Sequence, residues 1–101
     1  MHPFTLYTLA GALLLGSGIV LVLTRQNAIL VLMGIELMLN AATVNFTGFA
    51  LADPARIQGQ MAALFVLTLA AAETAVALAI ILQVYKRFGT VRIDQLRMLK
   101  S

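Results

Sequence analysis

Cysteine is absent from this 101-residue chain, and with it disulfides and iron–sulfur ligation are excluded. The single histidine, His2, cannot by itself hold a haem or a metal ion inside a membrane. Any redox chemistry associated with the chain must therefore belong to other chains. Charge is scarce as well: charged residues make up 11% of the chain, against roughly 25% in soluble domains. Hydrophobic residues reach 61% and the mean hydropathy is +0.97, which marks an integral membrane protein. No lysine or arginine precedes Arg25, the first apolar run is too long for a leader, and no small-residue cleavage pattern follows it. The N-terminal segment is read as a retained first helix.

What is there in quantity is apolar sequence, in three runs. Each membrane crossing takes about 20 residues, so the length allows three spans, short connections and a tail, with no room for a separate soluble domain. Pro3 suits a first helical turn, where its missing N–H costs nothing, and the first run continues to Leu23. Thr24-Arg25-Gln26-Asn27 interrupts it. Fusing the first two runs would make one helix of roughly 70 Å, far longer than the ~30 Å hydrocarbon core, so the chain must turn there. Asn27 is a plausible cap for the helix that follows. Asp53, Pro54, Arg56 and Gly59 mark the second break, and Tyr85-Lys86-Arg87 closes the third run with an interfacial aromatic and two cations. The predicted architecture is an all-α membrane protein with spans over 3–23, 28–51 and 61–84 and a basic tail over 85–101.

Six of the seven cations lie either in the first loop or after the third span, on one side of a three-span chain. That side is expected to be cytoplasmic, leaving the N-terminus and the 53–60 loop outside. The net charge of +3 thus describes a membrane flank and not a nucleic-acid surface. Ile93, Leu96 and Leu99 in the tail fit either a short amphipathic turn or a solvated end.

Against this background two carboxylates stand out. Glu36 and Glu73 lie near the middle of the second and third runs, where an acidic side chain costs about 2.5 to 3.5 kcal/mol. Glu36 is eleven residues from Arg25 and Glu73 thirteen from Lys86, which places both roughly 17 to 20 Å from the same interface. Removal from water favours the neutral form of a carboxyl, and a second carboxylate in the same layer adds to the effect, so proton exchange is the chemistry such a pair suits. Met33, Glu36, Asn40, Thr43 and Thr47 recur at spacings of three and four and form a polar stripe, with Asn40 one turn from Glu36. Ala70, Ala77 and Ile80 share the predicted face of Glu73, and such small residues invite a close neighbouring helix that would bury the carboxyl. The blander reading is a structural polar contact across helices. Asn40 and Thr43 are equally suited to helix–helix hydrogen bonding, and Arg25 either sets topology or marks a point of proton uptake. On the first helix, Ala12-x-x-x-Gly16 is a small-residue pattern suited to packing.

The stretch from Asn27 to Ala42, with its Glu36-Leu37-Met38-Leu39-Asn40 element, resembles the second helix of the K subunit of proton-pumping NADH:quinone oxidoreductase, bacterial complex I. Ala63 to Val76 resembles the third helix of that family. The resemblance implies a small membrane-arm subunit of the bacterial inner membrane, between antiporter-like and quinone-proximal subunits. It further implies that the glutamates matching Glu36 and Glu73 contribute to a proton path, while NADH, flavin, iron–sulfur clusters and quinone are held by partners. Two departures are visible: Gln58-Gly59-Gln60 where relatives often carry Asp-Gly-Gln, and Ala77 in place of a common glycine. An alternative is the small C-type subunit of a multi-subunit sodium/proton antiporter, which resembles the same family. A stand-alone small drug exporter is a weaker match, since such chains usually have four helices.

Overall fold

The computed structural model describes residues 2–100, with the side chain of Lys100 outside the description. All of the regular elements are helical: α1 (Pro3–Thr24), α2 (Ala28–Ala52), α3 (Gln58–Phe88) and a short α4 (Ile93–Lys100). The first three are long and apolar enough to cross a membrane. Local chemistry explains where they begin and end. The imidazole of His2 accepts from the Phe4 N–H at 3.1 Å, with Pro3 at the first helical position, so His2 caps α1. Asn27 caps α2 as expected, its Oδ1 accepting from Ile29 at 2.8 Å and from Leu30 at 3.4 Å. At the far end of α3, Gly89 adopts φ 73°, the left-handed stop that a side chain disfavours, and its N–H reaches the Tyr85 carbonyl at 2.7 Å.

The helix α3 starts before and ends after the apolar run that predicts it. Its extra turns at Gln58–Gln60 and Tyr85–Phe88 carry the polar and basic residues, and a helix of 31 residues, about 46 Å at 1.5 Å per residue, exceeds the hydrocarbon thickness. Between α2 and α3, the Arg56 N–H returns to the Asp53 carbonyl at 3.1 Å, and the exposed Asp53–Arg56 ion pair spans 3.6 Å.

α2 is the middle helix. It packs along α1 on one side and α3 on the other, and the Cα atoms fill a slab of 55 × 24 × 15 Å. So thin an arrangement has little interior, and the buried hydrophobics among the described residues are Leu32, Ala41, Ala50 and Ala70. Two opposed stripes on α2, each repeating every seven residues, do the packing. Gly34, Ala41 and Gly48 face α1, where a Cβ on Gly18 would come 2.5 Å from the Gly34 carbonyl oxygen and one on Gly34 would come 2.8 Å from that of Gly18. The two backbones therefore touch directly. Tyr7 lies against Gly48, and the Phe4 and Phe49 rings, 5.3 Å apart, close the same end. The predicted Ala12/Gly16 pair takes no part: Gly16 has open space beside it, because Gly11 and Gly18 occupy the face turned to α2.

The tail is held to the first loop by antiparallel backbone pairing of Asn27 with Arg92. Ala28 N–H donates to the Val91 carbonyl at 2.9 Å and Ile93 N–H to that of Gln26 at 2.7 Å. The tail is thus an ordered strand-like link leading into α4.

Candidate functional site

The second stripe of α2, Glu36, Thr43 and Ala50, is turned toward α3. Ala50 meets Gly59, where a Cβ would lie 3.0 Å from the Ala50 nitrogen. About four turns deeper, the Thr74 hydroxyl donates to Glu36 Oε1. This contact, half-buried, is the one side-chain hydrogen bond between α2 and α3 among the described residues. Antiparallel register accounts for both: residue numbers facing each other sum to 109 at Gly59/Ala50 and 110 at Thr74/Glu36.

A threonine hydroxyl suits a carboxyl in either protonation state. It has one O–H to donate to a carboxylate and lone pairs to accept from a neutral carboxyl. The Glu36–Thr74 pair can therefore survive a proton arriving or leaving with only a rotation of the hydroxyl.

Glu73 is one residue before Thr74, only about 1.5 Å away along the axis but turned by about 100° around it. It emerges on the outer face of α3, exposed, in an apolar hollow lined by Ala72, Val76, Ala77 and Ile80. The face expected to carry Glu73 divides here. Ala70, 4% exposed, lies with Thr74 on the side facing α2, while Ile80, and Ala77 at the edge between the two, line the hollow with Glu73. None of the described helices covers Glu73. The two carboxyls stand at one level on adjacent faces of α3, about 100° apart around its axis, with Thr74 facing one and its neighbour carrying the other.

The remaining residues of interest are distributed as follows around that pair. Thr43 and Thr47 turn their hydroxyls back to the carbonyls of Leu39 (3.2 Å) and Thr43 (2.9 Å), satisfying themselves within α2. Asn40 is exposed and makes no hydrogen bond to Glu36. Arg25 terminates α1, its N–H on the Leu21 carbonyl at 3.1 Å, and its exposed side chain is about 17 Å of helical rise from Glu36. Among the described residues no group of three or more His, Cys, Asp or Glu side chains gathers as a metal site.

Sequence reasoning missed two residues. Thr74 was legible as the lone hydroxyl in the stripe Val66, Ala70, Thr74, Ala77, Ile81, whose spacing of three and four matches a helix seam. Asn45, on the α1 side of α2, has a buried Oδ1 without a hydrogen-bond partner, occupying the space a side chain at Gly11 would need. No signal in the sequence separates it from the other polar residues of α2.

The family model for NADH-ubiquinone/plastoquinone oxidoreductase chain 4L matches residues 6–101. A relative from Chlorobaculum tepidum, named NADH-quinone oxidoreductase subunit K, is 47% identical over 88% of this chain and 82% of its own length. From Leptolyngbya boryana, an NAD(P)H-quinone oxidoreductase subunit 4L is 46% identical over 93% of this chain and 94% of its own. A subunit K from Anaeromyxobacter sp. (strain K) is 40% identical over 98% and 99% of the two lengths. With three membrane-length helices and a match that runs from Leu6 to the last residue, this chain belongs to the NADH-quinone oxidoreductase subunit K/4L family.

Proposed function

We propose that this chain is a membrane-arm subunit of a proton-pumping NADH:quinone oxidoreductase in which Glu36 and Glu73 are successive protonatable stations, one at the α2–α3 boundary and one on the adjacent outer face of α3. The observation that carries the reading is the Thr74–Glu36 bond, which ties one carboxyl across the α2–α3 boundary beside the residue bearing the other. Proton passage between them goes around or through the α3 wall at one depth, with Thr74 holding the Glu36 carboxyl in position. Glu73 faces outward, so the next group in the path belongs to a neighbouring subunit that closes over the Ala72–Ile80 hollow. Asn40, exposed beside the same level, addresses a neighbour too, and Thr43 lines the seam without contacting the carboxyl.

The relatives' names favour the oxidoreductase over the antiporter reading. Antiporter-like subunits on one side and quinone-proximal subunits on the other are the expected partners in a bacterial inner membrane. NADH, flavin, iron–sulfur clusters and quinone stay with those and the peripheral subunits, and the isolated chain catalyses nothing. Moving one charge against the membrane potential requires about 2.3 kcal/mol per 100 mV, which redox chemistry elsewhere must supply. The orientation adopted has Arg25 and the tail in the cytoplasm. Pairing of Asn27 with Arg92 supports a shared side for the two, and Arg25 then marks the side of proton uptake.

Glu36→Gln and Glu73→Gln keep size and hydrogen bonding but remove titration. In the purified complex, reconstituted in liposomes, each should assemble normally while protons moved per NADH oxidised fall at least tenfold for Glu36→Gln. Normal pumping by both assembled variants assigns the glutamates a structural role only. Co-purification of partners that lack flavin and iron–sulfur absorbance points instead to an antiporter.

A further inference from the structure

The end of the chain contains more cation than its acids can answer. Asp94 is engaged by Arg92, Nη2 to Oδ2 at 3.0 Å and Nε to Oδ1 at 3.2 Å, and that hydrogen bonding holds the Asp94 carboxyl below its ordinary range. Lys86, Arg87 and Arg97 are exposed and have no acidic partner among the described residues, and Arg87 lies 5.8 Å over the Phe88 ring. Directly beside these cations, Val84 and Phe88 of α3 and Leu96 and Leu99 of α4 enclose an open apolar hollow of about 360 Å³. Val84 and Phe88 also line the adjoining recess formed with Lys86 and Arg87, so the apolar slot and the cationic rim are continuous.

Position decides what fits such a surface. The hollow begins where the apolar run of α3 gives way to Tyr85, Lys86 and Arg87, at the depth where hydrocarbon meets headgroups. α4 is held there by the Asn27–Arg92 pairing, and the spacing of Ile93, Leu96 and Leu99 puts them on one face, with Gln95 and Arg97 at its two edges and Asp94 opposite. We propose that α4 and the basic end of α3 form a binding site for an anionic phospholipid, its phosphate held by Lys86, Arg87 and Arg97 and one acyl chain lying against Val84, Phe88, Leu96 and Leu99. The charge complement argues for an anionic lipid and against an apolar protein face, which would leave three cations unanswered. A phosphodiester accepts from guanidinium in a fork and from ammonium as a point charge. Pre-placement of the helix by backbone hydrogen bonds removes the ordering that a free tail would need before binding. This inference rests on the three membrane-length helices and is independent of the proton path.

Two measurements on the assembled complex test it. Photoactivation of a benzoylphenylalanine introduced in place of Leu99, in native membranes, should yield a chain adduct with the mass of a phospholipid. An adduct to another polypeptide, or no lipid adduct, overturns the proposal and makes the face a subunit contact. In the complex purified in mild detergent and exchanged into nanodiscs of equal phosphatidylglycerol and phosphatidylcholine, the variant K86Q/R87Q/R97Q should retain phosphatidylglycerol over phosphatidylcholine at a ratio reduced about fivefold or more, from a cationic contribution of that size per residue near a membrane surface. An unchanged ratio sinks the assignment even if lipid is present.

Discussion

The two sides of α2 are built on opposite plans. Toward α1 the helices meet backbone to backbone, at Gly18 and Gly34, over a seam of small residues that leaves no space for a polar group to move. Toward α3 the backbones come close at the Gly59–Ala50 end, but the contact at mid-depth is a hydroxyl on a carboxyl. Close-packed interfaces are stiff because any added atom must displace several others, whereas a hydroxyl can switch between donating to a carboxylate and accepting from a neutral carboxyl by rotating one bond. The α1–α2 hairpin is thus the fixed frame that presents Glu36, and the α2–α3 boundary is where protonation can change without repacking.

The largest test of this contrast is Gly18→Val. Its Cβ alone would come 2.5 Å from the Gly34 carbonyl and 2.6 Å from Met38 Cγ, and the former is backbone that cannot step aside. Overpacking costs about 1 to 3 kcal/mol where side chains can adjust, and here more is expected. Assembled complex in membranes should fall several-fold. Gly16→Val, two residues away with nothing within 4 Å of its added Cβ, should leave the hairpin intact. Equal tolerance of both would show that the α1–α2 contact is not what frames the site.

How far the sequence carries the same contrast differs by feature. Three spans and their interruptions follow from hydropathy, because a 30 Å apolar medium imposes element length on the chain. Asn27 as a cap follows from local hydrogen bonding, which needs no tertiary knowledge. Rotation about each helix axis is harder to read. An error of one residue turns a face by about 100°, enough to put Glu73 in the seam when Thr74 occupies it. The glycine pattern failed likewise: Ala12/Gly16 and Gly11/Gly18 are both small-residue pairs on α1, and only the partner helix distinguishes them. Glu36 and Glu73 were conspicuous from the cost of their depth, but the group bridging the boundary was not, since a threonine in a membrane helix commonly satisfies itself. Thr8, Thr24 and Thr68 do so here, each bonding the carbonyl four residues back.

Next in size is the effect of Thr74→Val, which keeps the shape of the side chain and removes the hydroxyl. Interhelical hydrogen bonds in membranes are worth about 0.6 kcal/mol on average and up to about 1.7, so α3 should stay docked and the complex should assemble. Pumping per NADH oxidised should drop about three- to tenfold as the Glu36 carboxyl loses its partner, and Thr74→Ser should restore it. Normal pumping by Thr74→Val would mean that the hydroxyl does not matter, which would make the α2–α3 seam as purely steric as the glycine seam.

The smallest effect, and the sharpest for the comparison, belongs to Asn45→Leu. Asn45 is the polar exception within the α1–α2 seam, its Oδ1 buried against Gly11 with no hydrogen-bond partner. An unsatisfied buried acceptor carries a desolvation cost of about 1 to 3 kcal/mol, so an apolar side chain of similar size relieves that cost while offering Gly11 a slightly larger neighbour. The two changes oppose each other, and the thermal midpoint of the assembled complex should stay within a few degrees of the original or rise, with pumping unaffected. Thr74→Val and Asn45→Leu then form a matched pair, each deleting one polar group from the contacts on opposite faces of α2. Loss of pumping in the first alone places the proton-sensitive boundary between α2 and α3. Loss in both would mean that the glycine seam also holds a polar group in use, and the frame and the moving boundary would have to be drawn as one.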